Sequence, residues 1–527
     1  MDLTDRLPFT GEDPDLAPFL DRAAAWATGL SLEDIPRPVR RAAAAQLTST
    51  VGAAAWTREH RLGAPIVEAV TSRDDGGAGA SLVGGESASP AGAARGNAAL
   101  SMALDFDDTV LGGHTGHSSV FVPLAYSEAT GADGSRVLLA QTAANEVAAR
   151  LASAAAIGPF RGQQTAYVHA VAAAVARAVV EDDDAGTLAH ALGTALLQPP
   201  WPLEPPILGA DAKVWTAAEP IESGLAALDS ARAGLTGAPG LVAAEGGFLE
   251  SFAGRPLPEF LEGFGDRWHT RAVTVKPVPG CAYVTAPIEA ALEARGRLDR
   301  GRSTIERVDV HASLFTTEVH ARAARYLDGP RSPVAALTFS VPFNVAVALS
   351  DGQHTPRQLD ERRRDPAVWE LADRVALHHD GEFTAAALDS EVPVGAMLRR
   401  VGLPLVAYAA RRVGPLAALR QLPTLAGFVR TRPLPTDLSG ADKRMGARVS
   451  VTTTDGRRVA ATVEHPSGFA GKPLSEIRAV ARRKCWTGLA ASGLRESEAK
   501  QRAQACLAVP DRETVSLAAL TGLGMAP

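Results

Sequence analysis

Aromatic residues, cysteine and lysine are all scarce in this chain of 527 residues. Phe, Trp and Tyr together make up 5%, so the core has to be built from Ala, Leu and Val. Those residues suit closely packed helices better than the aromatic, β-branched faces of a sandwich. Cys281, Cys485 and Cys506 form no CxxC pair and cannot all be bridged within one chain. A disulfide scaffold is therefore not expected, and a reducing cytoplasm is the expected setting. No run of about eighteen apolar residues reads as a membrane span. The acidic start MDLTDRLPFTGEDPDL lacks the apolar stretch of a signal peptide. With 46% hydrophobic and 21% charged residues, the composition is ordinary for a soluble globular protein, and a net charge of −6 argues against a nucleic-acid-binding surface beyond a local basic patch.

Most of the chain reads as helix. SLEDIPRPVRRAAAAQLTSTVGAAAWT offers a serine N-cap, acids in a first turn and an alanine-rich run. GSRVLLAQTAANEVAARLASAAAI and TAYVHAVAAAVARAVVEDDDAGTLAHALGTALLQ continue the pattern, with EDDDAG as a solvated turn between two helices. The texture changes near residue 272. RAVTVKPVPGCAYVTAP is rich in Pro and Val, and IEAALEARGRL reads as a helix. IERVDVHASLF, AALTFSVPFNVAVALSDG and RVALHHDGEF read as strands, and ARVSVTTTDGRRVAATVEHP as a hairpin about Asp455-Gly456. PLSEIRAVARRKCWTGLA and ESEAKQRAQACLAV return to helix. The expected fold is mainly α, a large all-helical domain with an inserted smaller α+β lid domain. Its expected boundaries are 1–271 for the first helical part, 272–465 for the lid and 466–527 for the returning helices. Within the lid, about 392–436 form an insertion holding Arg399, Arg400, Arg411, Arg412, Arg420, Arg430 and Arg432 and no acid. We read it as a solvated insertion packing on its own domain, with peripheral membrane contact as the alternative.

Titratable side chains are densest in LDFDDTVLGGHTGHSSVFVP, residues 104–123. If this stretch is helical, Asp105, Asp108 and Thr109 share a face, and Asp107 points away as a cap or a solvated group. His114 and His117 follow in a glycine-rich loop, and imidazole is the side chain whose proton affinity suits acid–base work near neutrality. The few lysines include Lys213 in GADAKVW and Lys276 in TVKPVP, both beside apolar or proline-rich sequence.

ALDFDDT…GHSSVFVP resembles the signature of the MmgE/PrpD family, which includes 2-methylcitrate dehydratase, cis-aconitate decarboxylase and iminodisuccinate epimerase. ADAKVWTAAEPIESGLAAL, VTVKPVPGCAYVTAPIEAAL, FSVPFNVAVALSDG and PSGFAGKPLSEI are similar to further family segments in the same order. The resemblance implies a helical domain with an α+β lid, a cleft between them, a homodimer, no metal and no cofactor; charge and hydropathy add the expectation of no nucleic-acid or integral membrane partner. It also implies a small carboxylate-bearing substrate whose C–H or C–CO₂ bond breaks beside a carboxylate, by dehydration, decarboxylation or epimerisation.

Carried over residue by residue, Asp105 and Thr109 line the pocket, and Lys213 and Lys276 are its lysines. The family's G-H-P-S has lost its proline, becoming Gly116-His117-Ser118-Ser119. We assign the acid–base place to His117, with His114 as the alternative if the spacing back from Pro123 is held. Gln163 or Gln164 stands where a second family histidine is expected, and His169 further on is read as packed on its helix. Thr285 or Ala286 stands where another histidine would be. Cys281 survives beside Lys276, with nothing nearby to activate it as a nucleophile. The expected catalytic set is Asp105, His117, Lys276 and Thr109, with Lys213, Gln164, His114 and Cys281 binding substrate. The expected function is a cofactor-independent lyase or isomerase, in a specialised or biosynthetic pathway given the lost histidines. The alternative is a catalytically silent family member that binds a metabolite or a protein partner.

Overall fold

The computed structural model describes residues 18–73, 79–157, 166–200, 202–298, 304–390, 394–401, 407, 411 and 434–524. The fold is mainly α. Helices α1 (Phe19–Gly29), α2 (Arg37–Arg58) and α3 (Gly63–Thr71) precede a short β1–β2 ribbon (Ala80–Ser81, Ser87–Ala88). Helices α4 (Pro90–Met102), α5 (Gly116–Thr130), α6 (Gly134–Ala154), α7 (Tyr167–Val180), α8 (Ala185–Ala195), α9 (Glu204–Gly209) and α10 (Trp215–Arg232) follow. Alanine is what lets these axes approach. Ala42 to Ala45 of α2, Ala140, Ala143 and Ala144 of α6, and Ala172 to Ala174 of α7 are all buried. Side-chain oxygens close several N-termini: Ser89 accepts from Gly92 N at 3.1 Å, Asp133 from Arg136 N at 2.9 Å and Asp184 from Thr187 N at 3.0 Å.

The expected serine cap of α2 is not formed. Ser31 instead closes a turn on Asp34, and the helix starts at Arg37 after Pro36. Proline disfavours helical backbone in the residue before it, which pushes the start downstream.

The helices Leu474–Ala491 and Glu496–Leu507 return to the helical body. The first lies along α2 so closely that a Cβ on Gly52 would stand 2.6 Å from Cys485 Cα. A bulkier residue at 52 would push the two backbones apart.

Beyond residue 282 a four-stranded sheet forms in the order β6-β5-β7-β8. Its strands are β5 (Ile305–Ala312), β6 (Val375–His379), β7 (Ala447–Thr453) and β8 (Arg458–Val463). β5 runs parallel to β6 and antiparallel to β7, and the β7–β8 hairpin turns at Asp455-Gly456 with Gly456 at φ 82°. The helices Thr285–Gly296 and Val341–Asp351 pack on it through Ile288, Ala291, Val345 and Ala348.

AALTFSVPFNVAVALSDG, expected as strand, is helix over Val334–Leu337 and Val341–Asp351. Ser340 caps the second helix by accepting from Phe343 N at 3.3 Å, and Gly352 ends it at φ 70°. The run is buried nearly all round, so it shows neither a helical nor a strand period.

Most of the expected arginine-rich insertion lies outside the described residues. Its first helix, Val394–Val401, places Ala396 and Met397 in a cluster with Leu111, Leu257 and Phe260. Among the described residues, no helix is long and apolar enough to cross a membrane.

Candidate active site

The site is built on a three-residue ladder that packs among the helices. β3 (Asp108–Val110) pairs antiparallel with β4 (Val273–Val275), Asp108 opposite Val275. The expected helix through DFDDT is therefore corrected to a turn followed by a strand. Asp105 sits in that turn at φ 50°, a left-handed conformation that aspartate tolerates better than most residues. From Asp107 onward side chains alternate. Asp107 and Thr109 face one way, and Asp108 faces back into the helices.

This alternation also corrects Asp107, expected to be a cap or solvated. It is fully buried and stands at the centre of the cluster. One ladder step beyond Val275, Lys276 lies across from it, and the Lys276 ammonium donates to Asp107 Oδ1. The same ammonium donates to the Asp105 carbonyl at 2.9 Å and to Asp105 Oδ1 at 3.2 Å. His114 Nδ1 bonds the second Asp107 oxygen, Oδ2. His117 Nε2 approaches that oxygen to 3.3 Å, and its Nδ1 lies 2.7 Å from Ser101 Oγ.

The two histidines differ in what they can reach. The His114 side chain keeps 15% of its surface exposed, while that of His117 keeps none. His117 is the second residue of α5, and its ring meets His169 edge-on at 5.4 Å. His169, which packs on α7 as expected, bonds Ser118 Oγ at 2.9 Å, and burial holds it well below the usual imidazole range.

Lys213 Nζ is 3.3 Å from Asp105 Oδ1 and 4.7 Å from the Phe339 ring centroid, with no hydrogen-bond partner. Asp105 Oδ2 is buried and equally unpartnered. Burial pushes both carboxyls up, but the lysines win. Lys213 and Lys276 bring Asp105 below the usual range, and Lys276 and His114 bring Asp107 well below it. Burial disfavours the Lys276 ammonium, and Asp105 and Asp107 overcome that, leaving its pKa raised. Cys281 lies close by, and burial pushes its thiol up to about 11, the wrong direction for a nucleophile.

Behind the strand, Asp108 accepts from Gln46 Nε2 at 2.6 Å and Thr50 Oγ1 at 3.1 Å. Burial and then the Asp107 charge raise its pKa. Gln46, Thr115 and Asn145 complete a buried network that fixes the loop from below. Gly116 is obligatory here, because a Cβ would run into the Asp108 carboxylate and stand 2.9 Å from Thr50 Oγ1.

Two further lysines were missed by sequence reasoning. Lys443 Nζ donates to Thr109 Oγ1 at 2.8 Å. Lys484 donates to Ser49 Oγ at 2.9 Å and to the Phe106 carbonyl. Burial brings them down to about 8 and about 7. Of the chain's six lysines, four are thus buried around one pentapeptide. The scarcity of lysine was the signal that could have found them. Gln163 and Gln164 lie outside the described residues. Thr285 and Ala286 are buried at the start of their helix. Among the described residues, no group of three or more His, Cys, Asp or Glu side chains is arranged to hold a metal ion.

The fold and the cluster together define a class: a mainly helical protein with small sheets and a buried carboxylate–lysine–imidazole centre beside the β3–β4 ladder. Residues 21–261 match the MmgE/PrpD N-terminal domain, and residues 278–401 match the MmgE/PrpD C-terminal domain. The chain belongs to the MmgE/PrpD family. Over 151 residues it is 30% identical to the cis-aconitate decarboxylase of Aspergillus terreus (strain NIH 2624 / FGSC A1156), an alignment covering 26% of this chain and 31% of that one. The match therefore spans about a third of the relative's length.

Proposed function

We propose that the chain is a lyase or isomerase that moves a proton at a carbon next to a carboxylate of a small organic acid. Family membership and the similarity to a cis-aconitate decarboxylase support the lyase class. The observation that carries the reading is the His114–Asp107–Lys276 arrangement, in which one imidazole is both held by a buried carboxylate and partly open to solvent.

With Nδ1–H donating to Asp107, the His114 Nε2 carries the lone pair and is the atom that takes or returns the substrate proton. This gives His114 the acid–base place first assigned to His117. His117, closed off between Ser101, His169 and Asp107, is a positioning residue that holds the carboxylate from behind. Asp107 remains ionised, so it fixes the imidazole and stabilises the imidazolium once formed. Lys213, whose ammonium has a free donor, binds the substrate carboxylate next to the reacting carbon. Negative charge that gathers on that carboxylate in the transition state is met by Lys213 and Lys276, both of them buried. Breaking a C–H bond, expelling a β-hydroxyl or releasing CO₂ all use this same stabilisation, and the substrate's own leaving group decides among them.

The test is to incubate the protein in D₂O with cis-aconitate and a panel of small di- and tricarboxylates, following C–H signals, alkene products and CO₂ by NMR. Loss of a C–H signal, a new alkene or CO₂ release, each dependent on the protein, supports the proposal. Binding of these acids without any turnover favours a catalytically silent member.

A further inference from the structure

His114 follows a tight turn that holds a leucine in an unfavourable conformation. Val110 N–H donates to Gly113 O at 2.8 Å and Gly113 N–H to Val110 O at 2.9 Å, which closes Val110–Gly113. Leu111 stands inside this turn at φ 50°. The left-handed region crowds a Cβ, and leucine has no polar side chain to offset that with a local hydrogen bond. Such backbone persists only where its surroundings impose it.

Two neighbours impose it here. Leu111 is 3% exposed and belongs to an apolar cluster with Leu257, Phe260, Ala396, Met397 and Leu438. A Cβ on Gly112 would stand 2.8 Å from Ser153 Oγ of α6 and 2.9 Å from the terminal methyl carbon of Met397. One on Gly113 would stand 3.1 Å from Ala152 Cβ, again of α6. The turn is thus wedged between the C-terminal end of α6 and the helix Val394–Val401.

That helix is itself fastened. Arg399 donates to the carbonyls of Leu388 and Ser390, and Arg400 pairs with Glu259, the chain neighbour of Phe260 in the cluster. Met397 therefore presses on Gly112 from a fixed support, two residues before His114. His114 needs that support. Among the described residues its ring has one hydrogen-bond partner, Asp107, and two glycines precede it. One bond and a backbone without Cβ atoms leave the ring free to swing unless packing from outside fixes the turn.

We propose that Met397 is a positioning residue for His114. By packing on Leu111 and Gly112 it keeps the turn in its left-handed form, and the turn keeps the imidazole on Asp107 with Nε2 left for the substrate. This rests on the acid–base reading of His114 and adds to it the support on which that imidazole depends.

The test has one readout that needs no substrate and one that does. In the full chain labelled with ¹³C in its histidine rings, the His114 signal is the one lost in His114→Asn. Met397→Ala should displace that signal while those of His354 and His378 stay in place. Met397→Val should displace it less in the same direction and guards against a folding defect in Met397→Ala. Met397→Leu, which fills nearly the same volume, should keep the wild-type spectrum. On any carboxylate that the wild-type protein turns over, Met397→Ala should lower kcat about 10–100-fold with KM little changed, as for a misplaced catalytic group. Leu438→Ala, which opens the same cluster at another buried side chain, should lose stability yet keep the His114 signal and the rate. An unchanged His114 signal in Met397→Ala and Met397→Val would overturn the role of Met397. The same displacement in Leu438→Ala would overturn it too, marking Met397 as a packing residue only. A displaced signal with kcat unchanged would uphold the support and overturn the acid–base reading of His114 instead.

Discussion

Lys276 and Asp107 face each other across the β3–β4 ladder, one step beyond the Asp108–Val275 pair, and their charges close a contact buried on every side. The pairing joins two segments 169 residues apart in the chain, so the site and the β3–β4 ladder are held by the same few hydrogen bonds.

Removing the cation should therefore cost stability as well as activity. Lys276→Met leaves Asp105 and Asp107 buried without their shared partner, which should destabilise the protein by about 3–5 kcal/mol. The double variant with Asp107→Asn should recover a good part of this. Urea melts of the two single variants and the double variant measure the coupling. Additive losses would mean that the two side chains are not energetically linked.

Gly116→Ala should be one of the more damaging single-methyl changes in the chain. The added Cβ meets the Asp108 carboxylate and Thr50 Oγ1, and overpacking of this kind costs about 1–3 kcal/mol. Thermal and urea unfolding would register it. A variant as stable as the wild type would show that α5 does not approach β3 as closely as described.

Lys484 gives a pH dependence of defined sign. Its pKa falls from 10.5 to about 7 on burial. Between about pH 7 and 10 the unfolded chain holds a proton there that the folded chain has released, so stability rises with pH in that window. Below pH 7 both states are protonated, and the burial penalty is fully present. Relative to Lys484→Met, the wild-type protein should gain about 1–2 kcal/mol between pH 7 and pH 9. Urea melts of both proteins at the two pH values test this. A pH-independent difference would mean that the lysine keeps its ordinary proton affinity.

The helical body was legible in the sequence because Ala, Leu and Val recur at helical spacing, and the β7–β8 hairpin because Asp-Gly marks its turn. The site was less so. Aspartates and a threonine at spacings of three and four read as one helical face, yet the segment is drawn into a strand by β4, a partner no local pattern reveals. That error hid Asp107, which strand alternation turns inward beside Thr109. The glycine-rich loop left the histidine register open, and only the burial of α5's first turn separates His114 from His117. Lys443 and Lys484 belong to no motif of the signature. They are brought in by the segment before β7 and by the returning helix Leu474–Ala491, through contacts that span most of the chain.

The most direct test of the account is the choice between the two histidines. Deuterium exchange or product formation is measured by NMR on the best-turned-over carboxylate, with His114→Asn and His117→Asn compared to the wild-type protein. His114→Asn should lower the rate by about 10²–10⁴-fold, as for loss of a general acid–base group, with little change in stability. His117→Asn disturbs Ser101 and the buried Asp107 contact, so it should lose about 1–3 kcal/mol of stability and retain a substantial part of the rate. Full activity in His114→Asn, with activity abolished in a folded His117→Asn, would contradict the account.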